Sequence, residues 1–397
     1  MPKTFLPLLI ISLLACCIEI DISVPSFPDM AAYFSVSEGM IQLTIAYNFL
    51  GFCLASLLWG PLSESYGRRR VMIIGNGLLL IGAIGCVFAP TIQWLLFARF
   101  IQGIGAATPA VVVFAMIADA YQGEKAVRLI GIMNSVLTIF MAVAPIAGGF
   151  INKAVGWRGN YGIVAAVSIL SWIMLFLLLP ETKKRWEAFS LTKTLGDFKQ
   201  LITSRHFMSA SIAPSLLYTG YLSFIACGSF LYMETFGLSI IAYALHQGFI
   251  VAAFSIVSIF SGTLITKLGS KNCITKGLML SALGALSLVI LSLTAPNSPY
   301  LITALMSLYC VGAAMTYPVI FSASLEIFPD IKGTASSAIM ALRALLVFVS
   351  IGLTSYLYNG QTFSVATIVL GTFLCVIVFA LHFLRSNLFR KLAVQGA

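Results

Sequence analysis

Twelve long apolar runs alternate with polar breaks along this sequence. Each run has about 18 to 25 mostly apolar residues, which is the length that a helix needs to cross about 30 Å of hydrocarbon. Most breaks are short and contain Pro, Gly or charged residues, which end or interrupt helices. The pattern therefore predicts twelve membrane-spanning helices and not the ten-residue alternation of a porin-type barrel. The predicted spans 1 to 12 are residues 5–27, 39–60, 71–90, 93–118, 128–152, 160–180, 208–233, 242–266, 274–294, 299–323, 334–358 and 363–384.

One break, residues 181–206, is long and rich in charge. Within it Leu191, Leu195, Phe198 and Leu201 recur at helical spacing, which predicts an amphipathic helix on the membrane surface. This break divides the spans six and six. We therefore predict an N-terminal bundle over 1–180, a cytoplasmic linker over 181–207 and a C-terminal bundle over 208–397.

Composition agrees with an all-α polytopic membrane protein. The 397 residues are 60% hydrophobic and 9% charged, whereas soluble domains carry about 25% charged residues. If both termini lie inside, 19 of the 23 Lys and Arg residues fall in inner segments and only Lys153 and Arg158 in outer loops. Because inner loops are enriched in Lys and Arg, we predict cytoplasmic N- and C-termini. The net charge of +10 then reflects membrane topology, and we expect the lipid bilayer and no nucleic acid as a partner.

The two halves also share motifs at near-equal offsets. The Gly-x-Leu…Gly-x-basic pattern of 60–69, after span 2, recurs at 262–271, after span 8, at an offset of 202. Gly105-Ala-Ala…Asp119 of span 4 recurs 207 residues later as Gly312-Ala-Ala…Glu326 of span 10. These repeats predict two pseudo-symmetric six-helix bundles with a site between them near the membrane midplane.

Charged residues inside predicted spans are the strongest indication of a functional site in this sequence. Span 1 contains Glu19 and Asp21, and span 4 contains Arg99. A charged side chain at bilayer depth costs about 2.5 kcal/mol or more, so it is retained where it faces protein or a wet cavity. Glu19 and Asp21 lie about 200° apart around a helix and so cannot face one spot. We expect one of these acids to be the partner of Arg99.

The loop GPLSESYGRRR, residues 60–70, resembles the signature loop of the major facilitator superfamily. The resemblance implies a conformational latch formed by Gly60, Glu64, Gly67, Arg68 and Arg69. The usual acid of that family is Asp, which is Glu64 here. From its position, Glu64 is expected to cap the next helix or to pair with an arginine. Arg99 lies in an Arg-Phe-x-Gln-Gly context that is linked in the family to proton coupling.

Three further stretches resemble members of this family. Pro145, Gly148 and Gly149 in span 5 resemble its antiporter motif, although Ala144 replaces the Gly before the proline and Phe140 an earlier Gly. Close helix packing would account for the small residues equally well. The Asp-x-x-x-Pro-x-x-Pro stretch from Asp21 to Pro28 and the 179–182 sequence Leu-Pro-Glu-Thr are similar to drug:proton antiporters of the bicyclomycin- and chloramphenicol-resistance type.

The resemblance implies a proton-coupled antiporter that exports small amphipathic drugs across a bacterial inner membrane by alternating access. It implies a monomer with a small-molecule substrate and protons as partners, driven by the proton gradient without a cofactor. Asp21 is our first choice as proton carrier, with Glu19 second and Arg99 as the coupled cation. Tyr47, Asn48, Asn134, Tyr218 and Tyr221 are candidate cavity-lining residues.

Arg343 in span 11 does not fit a simple exporter of cations. It could pair with Glu19, bind an anionic part of the substrate, or extend to the membrane interface. A carrier for one metabolite, such as an anionic siderophore or an organic acid, therefore stays open, in either direction of transport. A non-transporting membrane sensor is a further alternative. An enzyme is not expected, because the sequence has no Ser/His/Asp set, phosphate-binding Gly loop or metal-ligand spacing of Cys and His.

Overall fold

The computed structural model describes residues 4–121, 123–183 and 190–385, and only the backbone at 123, 124, 126 and 127. Within these ranges, twelve helical segments are long and apolar enough to cross a membrane. This confirms the predicted number of spans and the all-α class. In order, spans 1 to 12 are Phe5–Phe34, Glu38–Tyr66, Arg68–Val87, Ile92–Ala120, Arg128–Val155, Trp157–Leu178, Arg205–Thr235, Ile240–Ile259, Ser270–Thr294, Pro299–Leu325, Pro329–Leu357 and Thr362–Leu384.

Span 1 is longer than predicted and is broken near its middle. It consists of the helix Phe5–Asp21, a 3-10 turn at Val24–Ser26 and the helix Phe27–Phe34. Pro25 and Pro28 lie in the first turns of the two later pieces, where a missing N–H has no helical partner to lose. The same prolines could not continue the first helix without breaking its hydrogen bonds. The first helix therefore ends at Asp21.

The linker contains the predicted amphipathic helix, at Leu191–Thr203. The hydroxyl of Ser190 accepts a hydrogen bond from the backbone N–H of Lys193 and so caps its first turn. Leu201 is fully buried in a cluster with residues of spans 7 and 11, whereas Leu191 and Leu195 are exposed. Residues 184–189 of the predicted linker lie outside the described residues. So do five of the cations used to predict orientation, namely Lys3, Lys184, Arg185, Arg390 and Lys391.

The sequence repeat is also a structural repeat. Gly67 between spans 2 and 3 has φ of 96°, and Gly269 before span 9 has φ of 79°, a region that favours glycine. Gly105 of span 4 packs on the backbone of Leu79 in span 3, and Gly312 of span 10 packs on Ser281 of span 9. Leu79 and Ser281 are separated by the same offset of 202 residues as the loop motif. The two bundles thus use the same close contacts.

Two seams of small residues join the halves. Gly39 of span 2 lies against the backbone carbonyl of Ser355 in span 11, and Gly149 of span 5 lies against Ala244 of span 8. Small residues let helix backbones approach closely where apolar lipid gives no hydrophobic drive for association. Spans 2 and 5 of the first half are therefore held next to spans 11 and 8 of the second half, and a cavity lies between the halves.

Candidate functional site

The cavity between the two halves has a volume of about 270 Å³. Its wall comes from spans 1, 2, 4 and 5 of the first half and spans 7, 8, 10 and 11 of the second. Most of this wall is apolar, as is usual for small-molecule sites. The polar and sulfur-containing side chains in it are Cys16, Cys17, Glu19, Asp21, Asn48, Met141, Tyr218, Tyr221, Cys310, Tyr317 and Arg343.

Asp21 lies where the first helix of span 1 ends, and only 4% of its surface is exposed. Its Oδ1 accepts hydrogen bonds from the hydroxyl of Tyr221 at 3.4 Å and from Nε2 of Gln247 at 3.3 Å. Both donors belong to the second half of the chain. Among the described residues, no Lys or Arg nitrogen lies within 4 Å of this carboxyl group. Asp21 is therefore a buried acid that the opposite bundle holds by neutral donors.

Glu19 has a different environment, inside the first half. Its Oε2 lies 3.5 Å from Nη1 of Arg99, and its Oε1 accepts a hydrogen bond of 3.2 Å from Nδ2 of Asn48. The Glu19 and Arg99 side chains are almost fully buried, with 2% and 1% of their surfaces exposed. Nη1 of Arg99 also donates to Oε1 of Gln102 at 2.7 Å. The Glu19–Arg99 pair ties span 1 to span 4 and offsets both buried charges.

The structure thus separates the two acids as their spacing predicts. Glu19 points toward spans 2 and 4, and Asp21 points toward spans 7 and 8, although the cavity reaches both side chains. The partner of Arg99 is Glu19, whereas Asp21 takes part in no ion pair of the described chain.

Three of the five predicted polar wall residues lie on the cavity, namely Asn48, Tyr218 and Tyr221. The predictions for Tyr47 and Asn134 were wrong, because both side chains are exposed and lie outside the cavity wall. Tyr47 is turned about 100° from Asn48 around the helix, so the two cannot share a face. Asn134 lies two turns, about 10 Å, from Met141, the span 5 residue that lines the cavity.

Arg343 is half-buried on the cavity wall. Its Nη1 donates to the hydroxyl of Tyr317 at 3.0 Å, and its Cζ lies 4.9 Å from the ring centroid of Tyr218. Pairing with Glu19, one of the three alternatives, is wrong, since no carboxylate of the described chain lies within 4 Å of this guanidinium group. Extension to the membrane interface was wrong as well, because the side chain turns toward the cavity.

The predicted latch residues converge at one end of the first bundle. Gly67 allows the turn between spans 2 and 3, and the side chain of Arg68 folds back into the bundle, where it is 7% exposed. Its Nε contacts Oδ2 of Asp119 at 3.0 Å, and its Nη1 donates to the hydroxyl of Ser63 at 2.6 Å. Glu64 is a looser partner at 3.9 Å. Span 2 is thereby fastened to the end of span 4.

Glu64 does not cap the N-terminus of span 3. Glu181 caps it instead. The Glu181 carboxylate accepts hydrogen bonds of 3.1 Å from the backbone N–H groups of Arg68 and Arg69, which begin span 3. It also accepts 2.9 Å bonds from the N–H groups of Thr182 and Lys183. A carboxylate at a helix N-terminus satisfies free donors and complements the helix dipole. Glu64 instead lies beside Gly333, at the start of span 11.

The other latch and motif glycines make close contacts. Gly60 faces the hydroxyl of Ser337 in span 11. In span 5, Gly148 lies against the backbone carbonyl of Ile22, next to Asp21, and Gly149 lies against Ala244 of span 8. Pro145 lies inside the helix of span 5, where a proline removes one helical hydrogen bond. The Gly148–Gly149 pair therefore lets span 5 pack closely against both the break in span 1 and the second half.

Known proteins are similar to this chain over most of its length. Residues 9–351 match the family description Major Facilitator Superfamily. A chloramphenicol resistance protein, CraA, of Acinetobacter baumannii is 26% identical over 94% of this chain and 90% of its own. A bicyclomycin resistance protein homolog of Haemophilus influenzae is 25% identical over 82% of each chain. Multidrug resistance protein MdtM of Escherichia coli O157:H7 is 24% identical over 96% of this chain and 94% of its own.

Solved structures share the fold. A D-xylose-proton symporter superposes with a TM-score of 0.78 at 17% identity and covers 95% of this chain and 97% of its own. The xylose transporter XylE from E. coli, in a partially occluded inward-open conformation, gives a TM-score of 0.75 at 16% identity. That match covers 97% of this chain and 99% of the transporter.

Proposed function

We propose that this chain, which belongs to the Major Facilitator Superfamily of transporters and is not an enzyme, exports small amphipathic drugs in exchange for protons. The observation that carries the proposal is the position of Asp21. It is a buried acid at a helix break, it lines the cavity between the halves, and its hydrogen-bond partners Tyr221 and Gln247 belong to the opposite half.

Protonation of Asp21 would change the contact between the two bundles. An ionised Asp21 accepts hydrogen bonds from Tyr221 and Gln247, and none of the described ion pairs includes it, so its charge is not offset by a neighbouring cation there. A proton removes that charge and weakens the attraction of these donors, because hydrogen bonds to charged groups are about twice as strong as neutral ones. Binding of a proton therefore alters the relative stability of two arrangements of the halves, which is the requirement for coupling a ligand to a conformational change.

Substrate and proton compete for the same acid in this scheme. A drug with a positive or dipolar group that enters the cavity stabilises ionised Asp21 and expels its proton. Glu19 is less suited to this role because Arg99 already neutralises it. We assign Arg99 a structural part, in which it fixes Glu19 and span 4, and we assign the proton exchange itself to Asp21.

The relatives support drugs as the substrate class. Proteins named for resistance to chloramphenicol, to bicyclomycin and to multiple drugs align with 82% to 96% of this chain. The largely apolar cavity wall, with a few polar groups, suits amphipathic molecules of varied shape. The Lys and Arg distribution supports a bacterial inner-membrane protein with both termini in the cytoplasm, and we propose that one chain is the transporting unit.

Everted membrane vesicles test the proposal. In such vesicles respiration acidifies the interior, and an acridine dye reports the pH difference. We expect chloramphenicol, or the cation ethidium in a parallel sample, to raise the internal pH within seconds in vesicles that contain the chain. Vesicles with equal amounts of the Asp21→Asn variant are the matched control and should show no such change.

The alternatives give different results in this assay. A non-transporting sensor predicts no drug-driven proton movement in wild-type vesicles. Drug-driven proton movement that is equal in wild-type and Asp21→Asn vesicles would contradict the role of this acid while leaving drug export in place.

A further inference from the structure

The second-half wall of the cavity presents hydrogen-bond donors without an acid to receive them. Arg343 of span 11 and Tyr317 of span 10 both line the cavity. The cavity acids, Glu19 and Asp21, belong to span 1, and neither lies within 4 Å of the Arg343 nitrogens. The cavity therefore has an acidic side and a basic side.

Neutral groups hold the Arg343 guanidinium in place and leave most of its donors unused. Its Nη1 donates to the Tyr317 hydroxyl at 3.0 Å, and its Nη2 points to Sδ of Met340, which is a weak acceptor. The plane also lies over the ring of Tyr218, 4.9 Å from the centroid. A guanidinium group carries five N–H donors, so donors remain for a ligand. Tyr317 accepts from Arg343 and keeps its own O–H to donate.

The charge balance of the cavity also favours an anionic ligand beside Arg343. Arg99 neutralises Glu19, and Tyr221 and Gln247 hold Asp21. Arg343 is left as a cation with neutral partners at membrane depth, where an uncompensated charge costs several kcal/mol. A ligand anion placed against it would offset this cost. A planar group with two oxygens matches the arginine fork best, because it accepts two parallel N–H bonds.

We propose that Arg343 and Tyr317 form a subsite for a carboxylate, so that the cavity also binds aromatic compounds with one anionic end, beside the cationic and dipolar drugs that act on Asp21. The ring system of such a compound would pack on Phe49, Phe254 and the ring of Tyr218, which line the same cavity. The volume of about 270 Å³ suits a compact molecule, since sites for drug-sized ligands begin near ~300 Å³. This inference rests on the proposed export function and specifies its substrate class.

A matched pair of probes tests the subsite. Naphthalene-1-acetate and naphthalene-1-acetamide have the same ring and nearly the same size but differ in charge. We would measure the binding of each to the purified full-length chain in detergent by isothermal titration calorimetry. The expected ratio of affinities, carboxylate over amide, is about tenfold or more for the wild type, the magnitude of a charge-assisted bidentate contact.

Three variants separate the subsite from a packing role. In Arg343→Gln the ratio should fall close to one, and in Arg343→Lys, which keeps the charge but not the fork, it should take an intermediate value. Tyr317→Phe should lower the ratio about threefold. This variant still tests the carboxylate subsite if the Arg343 variants fail to fold. Arg158→Gln removes a cation that lies outside the cavity wall, and it should keep the wild-type ratio.

The outcomes are distinct from those of the export assay. A wild-type ratio near one, or a ratio that is the same in wild type, Arg343→Gln and Tyr317→Phe, would overturn the carboxylate subsite. Chloramphenicol-driven proton movement in wild-type vesicles would then still support export. Absence of that movement in the wild type, with a high carboxylate ratio, would overturn the exporter and leave the binding site.

Discussion

Gln247 donates its Nε2–H to Oδ1 of Asp21 across 3.3 Å, so an amide of span 8 holds the carboxylate at the end of the first helix of span 1. The amide oxygen of Gln247 is buried and has no hydrogen-bond partner among the described residues. Rotation of this amide would let its oxygen accept a hydrogen bond from the O–H of neutral Asp21. A single side chain can thus serve both protonation states while it links the two bundles.

Replacement of Gln247 by Leu should slow drug-driven proton movement about tenfold. A hydrogen bond to a charged group contributes about 1.5–3 kcal/mol, and about 1.4 kcal/mol corresponds to a factor of ten. The measurement is the initial rate in everted vesicles. Gln42→Leu is the matched control, because Gln42 is also buried but its amide faces the thiol of Cys227. An equal loss in both variants would show that the effect comes from packing and not from Asp21.

The Glu19–Arg99 pair should behave as a unit in stability measurements. Arg99→Gln leaves Glu19 as an uncompensated buried charge, and such losses cost about 3–5 kcal/mol. We expect a marked fall in the thermal unfolding midpoint in detergent. The double variant Glu19→Gln/Arg99→Gln should recover a large part of it, because no lone charge remains. Additive losses in the double variant would contradict the pairing.

Gly148 should tolerate no side chain, although it lies in an ordinary helix. A Cβ atom there would overlap the backbone carbonyl of Ile22 beside Asp21. Overpacking of this kind costs about 1–3 kcal/mol, so Gly148→Ala should impair both stability and transport. Gly162→Ala in span 6 is the control, because no described atom beyond its own helix turn lies within 4 Å of its added Cβ. Wild-type behaviour of Gly148→Ala would show that spans 1 and 5 are not packed so closely.

Glu181 should contribute more to stability than an exposed acid at the equivalent end of the second bundle. Glu181→Ala removes the acceptor of four backbone N–H groups, and loss of a helix cap costs about 1–2 kcal/mol. Glu326→Ala removes an ion pair with Lys332 in which Glu326 is 48% exposed, and such pairs contribute about 0–1 kcal/mol. Thermal unfolding of both variants should show the larger shift for Glu181. Equal shifts would argue against the cap.

The sequence predicted the number and order of the spans well because each needs about 20 apolar residues in succession. Helix ends were less predictable. The prolines of span 1 end one helix at Asp21 yet begin the next two pieces, so the span continues to Phe34. In span 8 the apolar pattern runs past Phe260, whereas the helix stops at Ile259 and a new one begins at Ser261.

The identity of contacts could not be predicted, because contacts depend on how the helices rotate against one another. The spacing of Glu19 and Asp21 showed that they face different sides but not which side holds Arg99. Gln247 is a lone amide in an apolar span, which is a signal, yet its partner lies 226 residues away. Glu181 appeared only as part of a short motif after span 6, and its role depends on the start of span 3 lying beside it.

The most direct test of the account is proton release from the purified protein in a weakly buffered detergent solution. When saturating ethidium is added, the wild type should release up to one proton per chain, measured with a pH indicator dye. Asp21→Asn should release none while it still folds, and Glu19→Gln should release nearly as much as the wild type. Undiminished release from Asp21→Asn would contradict the central claim that this acid exchanges its proton for the substrate.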